Sequence, residues 1–535
     1  MGRIAALLFA SAVGCDSSQS RGQGGSGDGG SGGHAGSGAG TGGTQNGGTT
    51  GGSGGHAGSG AGTGGTQNDG TTGGSGSGGN SAASGGSGGT NATGGSAGTG
   101  SGGKAGAGGS AGTGGTASSG TGGTGGTATG GTSGAGGSGG KGGTVDAGGA
   151  AGAGGTTANN SGPPMGWASW NAFQAKINYT VIKGQADAMA SSGLKDAGYQ
   201  YVNIDEGWWQ GTRDASGNIT IDTTDWPGGM SAIADYIHGL GLKAGIYTDA
   251  GKQGCGFYYP TGRPAAPNSG SEGHYDQDFL QFSKWGFDYV KVDWCGGQAE
   301  GLSAKTAYQS ISDAIKKATA QTGRPMALSV CEWGSNQPWN WAPSMSTLWR
   351  TSSDINIYSY SSIYTNFDSA AQHPTAQSPG HYNDPDMLIV GVSNFTLAQN
   401  RNHFAMWAIL SAPLLAGNNL TTMSADTTSV LTNKEVIAID QDPLAKPGTK
   451  ISDSNGLQVY SKELSDAGRR AVLLLNRGTA AGTITVKFAD IGLGNTVTVR
   501  DIWAAKDLGE KTTSYATSVP ASDSVLLMIT DGAAK

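Results

Sequence analysis

Tyr289-Val290-Lys291-Val292-Asp293-Trp294-Cys295 is an apolar run that ends on an acid, and it reads as a buried strand whose last side chain is there for chemistry. Residues of a strand alternate between its two faces, so Lys291 and Asp293 share one. A cation beside a carboxylate favours the ionised form, which attacks rather than donating a proton. The same ending recurs along the chain. Strand-like runs stop at Asp205-Glu206, Tyr247-Thr248-Asp249, Cys331-Glu332-Trp333, Asp354 and Asp384-Pro385-Asp386. The strand candidates are residues 201–205, 243–248, 288–293, 326–331 and 348–350, and amphipathic stretches at 186–197, 230–240, 276–285 and 304–320 lie between them. Strands alternating with helices argue for a parallel sheet covered by helices. Acids at successive strand ends argue for an α/β (β/α)8 barrel, the TIM-barrel architecture, whose catalytic groups come from strand C-termini. The competing architecture is a doubly wound open sheet, which would gather its ligand at one switch point rather than around a ring.

The 535 residues hold two unlike polymers, and whole-chain averages describe neither. No aromatic residue stands between Phe9 and Trp167, and most of the 104 glycines fall in that part. A segment with so little apolar surface has nothing to set against its ordering entropy, so residues 16–160 read as a disordered Gly/Ser/Thr-rich linker of about 145 residues. It contains a duplication, GGSGGHAGSGAGTGGTQN, once around His34 and again around His56. The repeat has no apolar face to stack and so does not build a solenoid. As a random coil the segment would span on the order of 65 Å, the reach of a tether. Arg3 precedes the apolar run 4–13, which is too short to span a bilayer and has the proportions of a signal peptide. The run ends in Ala12-Val13-Gly14-Cys15, which resembles a bacterial lipoprotein box with Cys15 as the lipidated residue, although the position three before the cysteine is usually Leu. Residues 1–15 are therefore expected to export the chain, and Cys15 to anchor it to lipid at the cell envelope. The competing reading is an ordinary signal peptide and a secreted product.

Residues 161–446 form the expected barrel, and after Pro447 the texture changes. Short runs at 457–461, 471–476, 483–488, 496–502 and 524–529 are separated by turns, and several alternate in polarity as half-buried antiparallel strands do. Residues 447–535 thus read as a C-terminal antiparallel β-sandwich packed against the barrel. The net charge of −7 leaves no electrostatic footprint for nucleic acid. With Cys15 lipidated, the other three cysteines leave one pair and one single thiol. Cys255 and Cys295 follow neighbouring strand ends and are the expected pair, while Cys331 sits inside an apolar strand as a buried inert thiol. The seven histidines are scattered and offer no metal-ligand cluster. No Gly-rich phosphate loop follows a strand, and no G-x-S-x-G elbow precedes a helix in the folded part. No metal or cofactor is implied. What remains is carboxylate chemistry, in which two acids in different environments cleave a glycoside.

At this point the motifs form an ordered set: Pro163-Pro164-Met165-Gly166-Trp167 with Ser169-Trp170-Asn171; Ile204-Asp205-Glu206-Gly207-Trp208; GLKAGIY (241–247); YVKVDWC (289–295); CEWG (331–334); Trp349-Arg350 with Asp354; YNDPDML (382–388); and LSAPLLAGN (410–418). In this order they resemble the α-galactosidase family of retaining glycosidases, glycoside hydrolase family 27, over everything from Pro163 onward and over none of the linker. The resemblance implies that Asp293 is the nucleophile of a covalent glycosyl-enzyme and Asp354 the general acid/base. It implies that Lys291 hydrogen-bonds the sugar and keeps the nucleophile ionised, that Arg350 lies near the acid/base and contacts the sugar around its 2-hydroxyl, and that Trp170 lines the sugar's apolar face. Tyr247 and Asp386 match further substrate contacts, and Cys255 with Cys295 matches a disulfide at the pocket rim. Trp167 reads as core and Asp384 as support for its loop, while Asp249 is undecided.

Two positions refine the substrate. Family members that accept N-acetylgalactosamine carry a small residue where this chain has Glu332. A bulky acid there suits a free 2-hydroxyl. Family members usually read Asp-Asp where this chain reads Asp205-Glu206, the pair that grips the 4-hydroxyl and the exocyclic hydroxymethyl. The extra methylene of Glu206 is expected to push its carboxylate deeper, into space the hydroxymethyl needs. β-L-Arabinopyranose is α-D-galactopyranose without that group. The expected function is therefore hydrolysis of terminal non-reducing α-D-galactosyl residues of oligo- or polysaccharides by double displacement, with a β-L-arabinopyranosidase or dual-specificity enzyme as the alternative. A sugar-binding surface protein on a dead barrel is the remote one, because decay would strike Asp293 or Asp354 first.

Overall fold

The computed structural model describes residues 162–209, 211–261 and 265–532. The expected signal segment, Cys15 and the linker lie outside the described residues. Eight strands run parallel: β1 (Met165–Ala168), β2 (Tyr201–Asn203), β3 (Lys243–Asp249), β4 (Tyr289–Asp293), β5 (Ala327–Cys331), β6 (Leu348–Arg350), β7 (Tyr382–Asp384) and β8 (Leu414–Ala416). They pair in the order β7-β6-β5-β4-β3-β2-β1-β8. The ring closes just beyond β7, where the Leu388 N–H donates to the Leu415 carbonyl at 2.8 Å and Leu388 accepts from the Gly417 N–H at 2.9 Å. Closure removes both sheet edges and decides against the doubly wound alternative. Asp249, Asp293 and Cys331 stand side by side in the β3–β4–β5 register, so the strand-end residues share one level.

Two barrel strands, 165–168 and 414–416, are absent from the sequence reading, and 382–384 appears there only as a run ending at Asp384. Three or four residues are too few to display a period. In β1 a β-carbon on Gly166 would fall 2.4 Å from the Tyr201 carbonyl oxygen, so close strand approach is what the glycine provides. The helix expected at 186–197 is instead Tyr179–Ser191 followed by a 3-10 turn, Lys195–Ala197. The side chain of Asn178 caps the start by accepting from the Val181 N–H at 3.0 Å, and Gly193 at φ +89° ends it.

The C-terminal part is the expected sandwich. A six-stranded sheet pairs in the order β14 (Lys506–Thr512), β13 (Thr496–Asp501), β16 (Asp523–Asp531), β11 (Arg469–Asn476), β10 (Leu457–Glu463), β9 (Thr449–Ser454). It faces a two-stranded antiparallel sheet of β12 (Gly482–Lys487) and β15 (Ser514–Val519). β11 is buried on both faces. Ala471, Leu473 and Leu475 join the barrel's core, which includes Phe404 and Trp407, while Val472 and Leu474 pack with Ile484, Val486 and Val519. Each such aliphatic side chain contributes roughly 1.5–3 kcal/mol on burial. The helix Leu397–Ile409 lies under this sheet with Phe404 to Ile409 all buried, so it shows no polar face to a sequence reading.

Candidate active site

The ten site residues expected from the sequence, apart from the disulfide and Cys15, all stand at or just beyond the C-terminal ends of β1 to β7. They divide into two arcs of the rim. The first arc belongs to β2, β3 and β4. Asp293 closes β4 and is 7% exposed; its Oδ2 accepts from the Tyr247 hydroxyl at 3.1 Å and its Oδ1 from the Trp294 N–H at 3.0 Å. The Lys291 ammonium donates to Asp205 Oδ2 at 3.0 Å and lies 5.3 Å from the centre of the Tyr247 ring. Asp205 is held in turn by its own backbone N–H, which donates to Ser169 Oγ at 2.9 Å. Lys291 therefore pairs directly with Asp205, not with Asp293, and reaches the nucleophile only through its field.

Burial dominates the charges in this arc. It raises Asp293; Lys291 pulls it down, Asp354 and Asp205 push it back up, and the net is a pKa of about 6. Burial works against the Lys291 ammonium as well, yet Asp205, Asp293 and Asp354 are among the groups that outweigh it and hold it well above the usual lysine range. Asp249, undecided from sequence, is fully buried, and its Oδ1 accepts from the N–H groups of Gly251 at 2.7 Å and Gly296 at 3.1 Å. It shapes the turns after β3 and β4.

Glu206 reaches the segment that follows β3. Its Oε1 accepts from the Gly256 N–H at 2.6 Å, and that glycine belongs to the short helix Cys255–Tyr258. The extra methylene is taken up toward this rim helix. Asp205, Lys291, Arg350 and Asp386 line an axial cavity whose lining includes none of Glu206, Asp293 and Asp354. Burial first, with Asp293 and Asp205 adding to it against the Gly256 bond, pushes Glu206 up to about 8. The rim helix is fixed by the Cys255–Cys295 disulfide. Among the described residues the one cluster of metal-ligand types is Asp249 with these two cysteines, whose sulfurs are already bonded to each other.

The second arc belongs to β5, β6 and β7. Arg350 is buried at the end of β6 and forks between Asp354 Oδ1 at 3.1 Å and Asp386 Oδ2 at 2.8 Å. Asp386 also accepts from the N–H groups of Ile355 at 2.8 Å and Met387 at 2.7 Å. It does so at φ +89°, backbone strain held by the Asp384 side chain, which accepts from the Asp386 N–H at 2.8 Å. The Asp354 side chain is 56% exposed, the opposite of Asp293. Trp170 packs at the rim on Ala168, Met387 and Leu415, and Trp167 is core, as read. Cys331 is the buried free thiol. Glu332 stands apart from the other acids. It bonds the Asn336 N–H at 2.6 Å and side-chain amide at 2.9 Å, leaves Oε1 buried without a partner, and is raised by burial to about 7. Sequence reading gave no role to Ser169, Asn336 or Gly256. Each acts through position alone, and the only signal for them was a place in or near a motif or beside Cys255.

A buried anion at the end of β4 and an exposed acid just beyond β6, electrostatically coupled, can perform nucleophilic attack and proton transfer on opposite sides of one bond. Residues 162–442 match the family described as alpha galactosidase A, and residues 454–529 match the alpha galactosidase C-terminal beta sandwich domain. The chain is 46% identical over 329 residues to alpha-galactosidase A of Cellvibrio japonicus, covering 60% of this chain and 77% of that protein. Its fold is similar to the crystal structure of α-galactosidase I from Mortierella vinacea, with TM-score 0.64, 34% identity, and coverage of 71% of this chain and all of that one. A β-L-arabinopyranosidase of Geobacillus stearothermophilus superposes with TM-score 0.62 at 24% identity, covering 70% of this chain and 97% of that one. At that identity the likeness shows the fold alone.

Proposed function

The chain belongs to the α-galactosidase family, glycoside hydrolase family 27, and hydrolyses terminal α-galactosyl residues; from that premise we propose how its own residues divide the double displacement. Asp293 attacks the anomeric carbon as a carboxylate while Asp354 protonates the departing oxygen. Asp354 then takes a proton from water as that water cleaves the glycosyl-enzyme. The Tyr247 hydroxyl and the Lys291 field favour the ionised nucleophile against burial. Arg350 orients Asp354 and Asp386 from beneath. Glu332 excludes an acetamido group and leaves room for a free 2-hydroxyl. The observation that carries this assignment is the contrast between a 7%-exposed Asp293 and a 56%-exposed Asp354 side chain at the same end of one barrel.

Galactose rather than arabinopyranose is the preferred sugar in this reading, supported by the Glu206 carboxylate being engaged by the Gly256 N–H of the rim helix. The test is kcat/KM on nitrophenyl α-D-galactoside against nitrophenyl β-L-arabinopyranoside. The galactoside is expected to be the better substrate, and a preference for the arabinoside would return Glu206 to the pocket. We further propose that residues 1–15 export the protein and that Cys15 carries the lipid anchor, with residues 16–160 as tether. Cys15→Ala would then leave the protein soluble after export with unchanged kinetics, and persistent membrane attachment would refute the anchor.

A further inference from the structure

A second concavity opens beside the catalytic cavity on the same end of the barrel. Asn171 from the short helix after β1, Tyr358 from the loop after β6, Asn394 from the loop after β7, and Asn418, Thr422 and Ser424 from the segment after β8 line it. These are the strand ends that also supply Trp170, Asp354 and Asp386. The groove is tied to the acid's own loop: Ser393 Oγ donates to the Ile357 carbonyl, and the Ile355 N–H donates to Asp386. Its polar walls are amides and hydroxyls, interrupted by Ile357, Val392, Phe395, Leu397 and Met423, and Asp426 is the one charged residue lining it. Its floor carries two buried amide atoms without a protein partner, Nδ2 of Asn171 and Oδ1 of Asn418. Tyr358 is 82% exposed, the most exposed large apolar side chain among the described residues. Water gains nothing from an aromatic ring held out in this way, whereas a pyranose offers it an apolar face.

We propose that this groove holds the main chain of an uncharged, α-galactosyl-branched polysaccharide, with Tyr358 as the platform on which a backbone sugar stacks. The inference rests on the galactosidase reading and specifies its substrate class. The direction follows from the chemistry: the leaving group must lie beside the residue that protonates it, and Asp354 stands four residues before Tyr358, on the arc from which the groove extends. A lining of amides, hydroxyls and apolar side chains with a single acid suits a neutral polyol and offers no pairing for a polyanion.

The test compares three substrates on the full chain: nitrophenyl α-D-galactoside, raffinose, and a soluble β-mannan bearing single α-D-galactosyl branches. Tyr358→Ala, and separately Thr422→Trp to fill the groove, should lower kcat/KM on the branched polymer about tenfold while leaving the aryl galactoside within about twofold. Tyr358→Phe should restore polymer turnover, since it keeps the ring. Unchanged polymer turnover in both variants, equal losses on all three substrates, or a Tyr358→Phe variant as weak as Tyr358→Ala would each overturn the platform. A wild-type chain inactive on the aryl galactoside would instead remove the galactosidase reading beneath it.

Discussion

The two arcs of the barrel rim use their acids in opposite ways. On the β2–β4 arc the carboxylates are sealed: Asp293, Asp205 and Glu206 are each under 8% exposed and are bound to Tyr247, Lys291 or backbone N–H groups. On the β6–β7 arc the buried member is a cation, Arg350, and the acid it orients, Asp354, faces solvent. A nucleophile benefits from being fixed and dry, where its attack meets no competing hydration. An acid that must exchange protons with a leaving group and then with water needs access. One closed sheet supplies both environments because strand ends sit low while the loops beyond them rise into solvent.

Removing the sealed carboxylate should have the largest effect. Asp293→Ala is expected to lose on the order of ten-thousandfold or more in kcat on every galactoside; residual turnover within about a hundredfold of wild type would place the nucleophile elsewhere. Removing the exposed acid should discriminate between substrates. Asp354→Ala should lose about 10²–10⁴-fold on natural oligosaccharides and far less on nitrophenyl galactoside, whose leaving group needs little protonation. Equal losses would take Asp354 out of the acid role.

A third measurement probes the field across the two arcs. The acid limb of kcat/KM should fall near pH 6, where Asp293 ionises in the free enzyme. Lys291→Met should move that limb to higher pH, because it removes the group that pulls Asp293 down. A limb that does not move would confine Lys291 to holding Asp205.

The sealed acids also predict how stability varies with pH. Asp293 and Asp384 are raised from 3.8 to about 6, Glu332 from 4.5 to about 7 and Glu206 from 4.5 to about 8. The folded state therefore holds protons that the unfolded chain has released. Stability should fall as pH rises from about 4 to about 8, visible as a declining Tm over that window. A Tm that climbs through this range would mean the rim acids are ionised and better compensated. The smallest effect is reserved for Glu206→Asp. With its carboxylate turned to the rim helix, the galactoside-to-arabinoside ratio should change by no more than about threefold. A tenfold swing would show that Glu206 reaches the sugar after all.

The long strands were legible because they carry a period. Residues 243–248 and 288–293 show buried alternation ending on acids, and both are strands in the structure. β1, β7 and β8 have three or four residues and became visible only as members of motifs. β9 and β14 were missed for another reason: their side chains are mostly exposed, so pairing rather than composition makes them strands. At the site, Asp293 and Lys291 were legible from alternation, and Asp354 from motif order. The partner of Lys291 was not, because Asp205 lies 86 residues away and meets it only across β3.

Sequence alone determined the residue types, their order and the two folded parts, because apolar periodicity and strand-end acids are local properties of the chain. Tertiary structure alone decided which acid is dry and which is wet. It decided that Lys291 bonds Asp205, and that Glu206 accepts from the Gly256 N–H. It also opened a neutral groove beside Asp354. Desolvation and hydrogen-bond partners depend on which distant segments arrive at one place, and that information exists only once the barrel has closed.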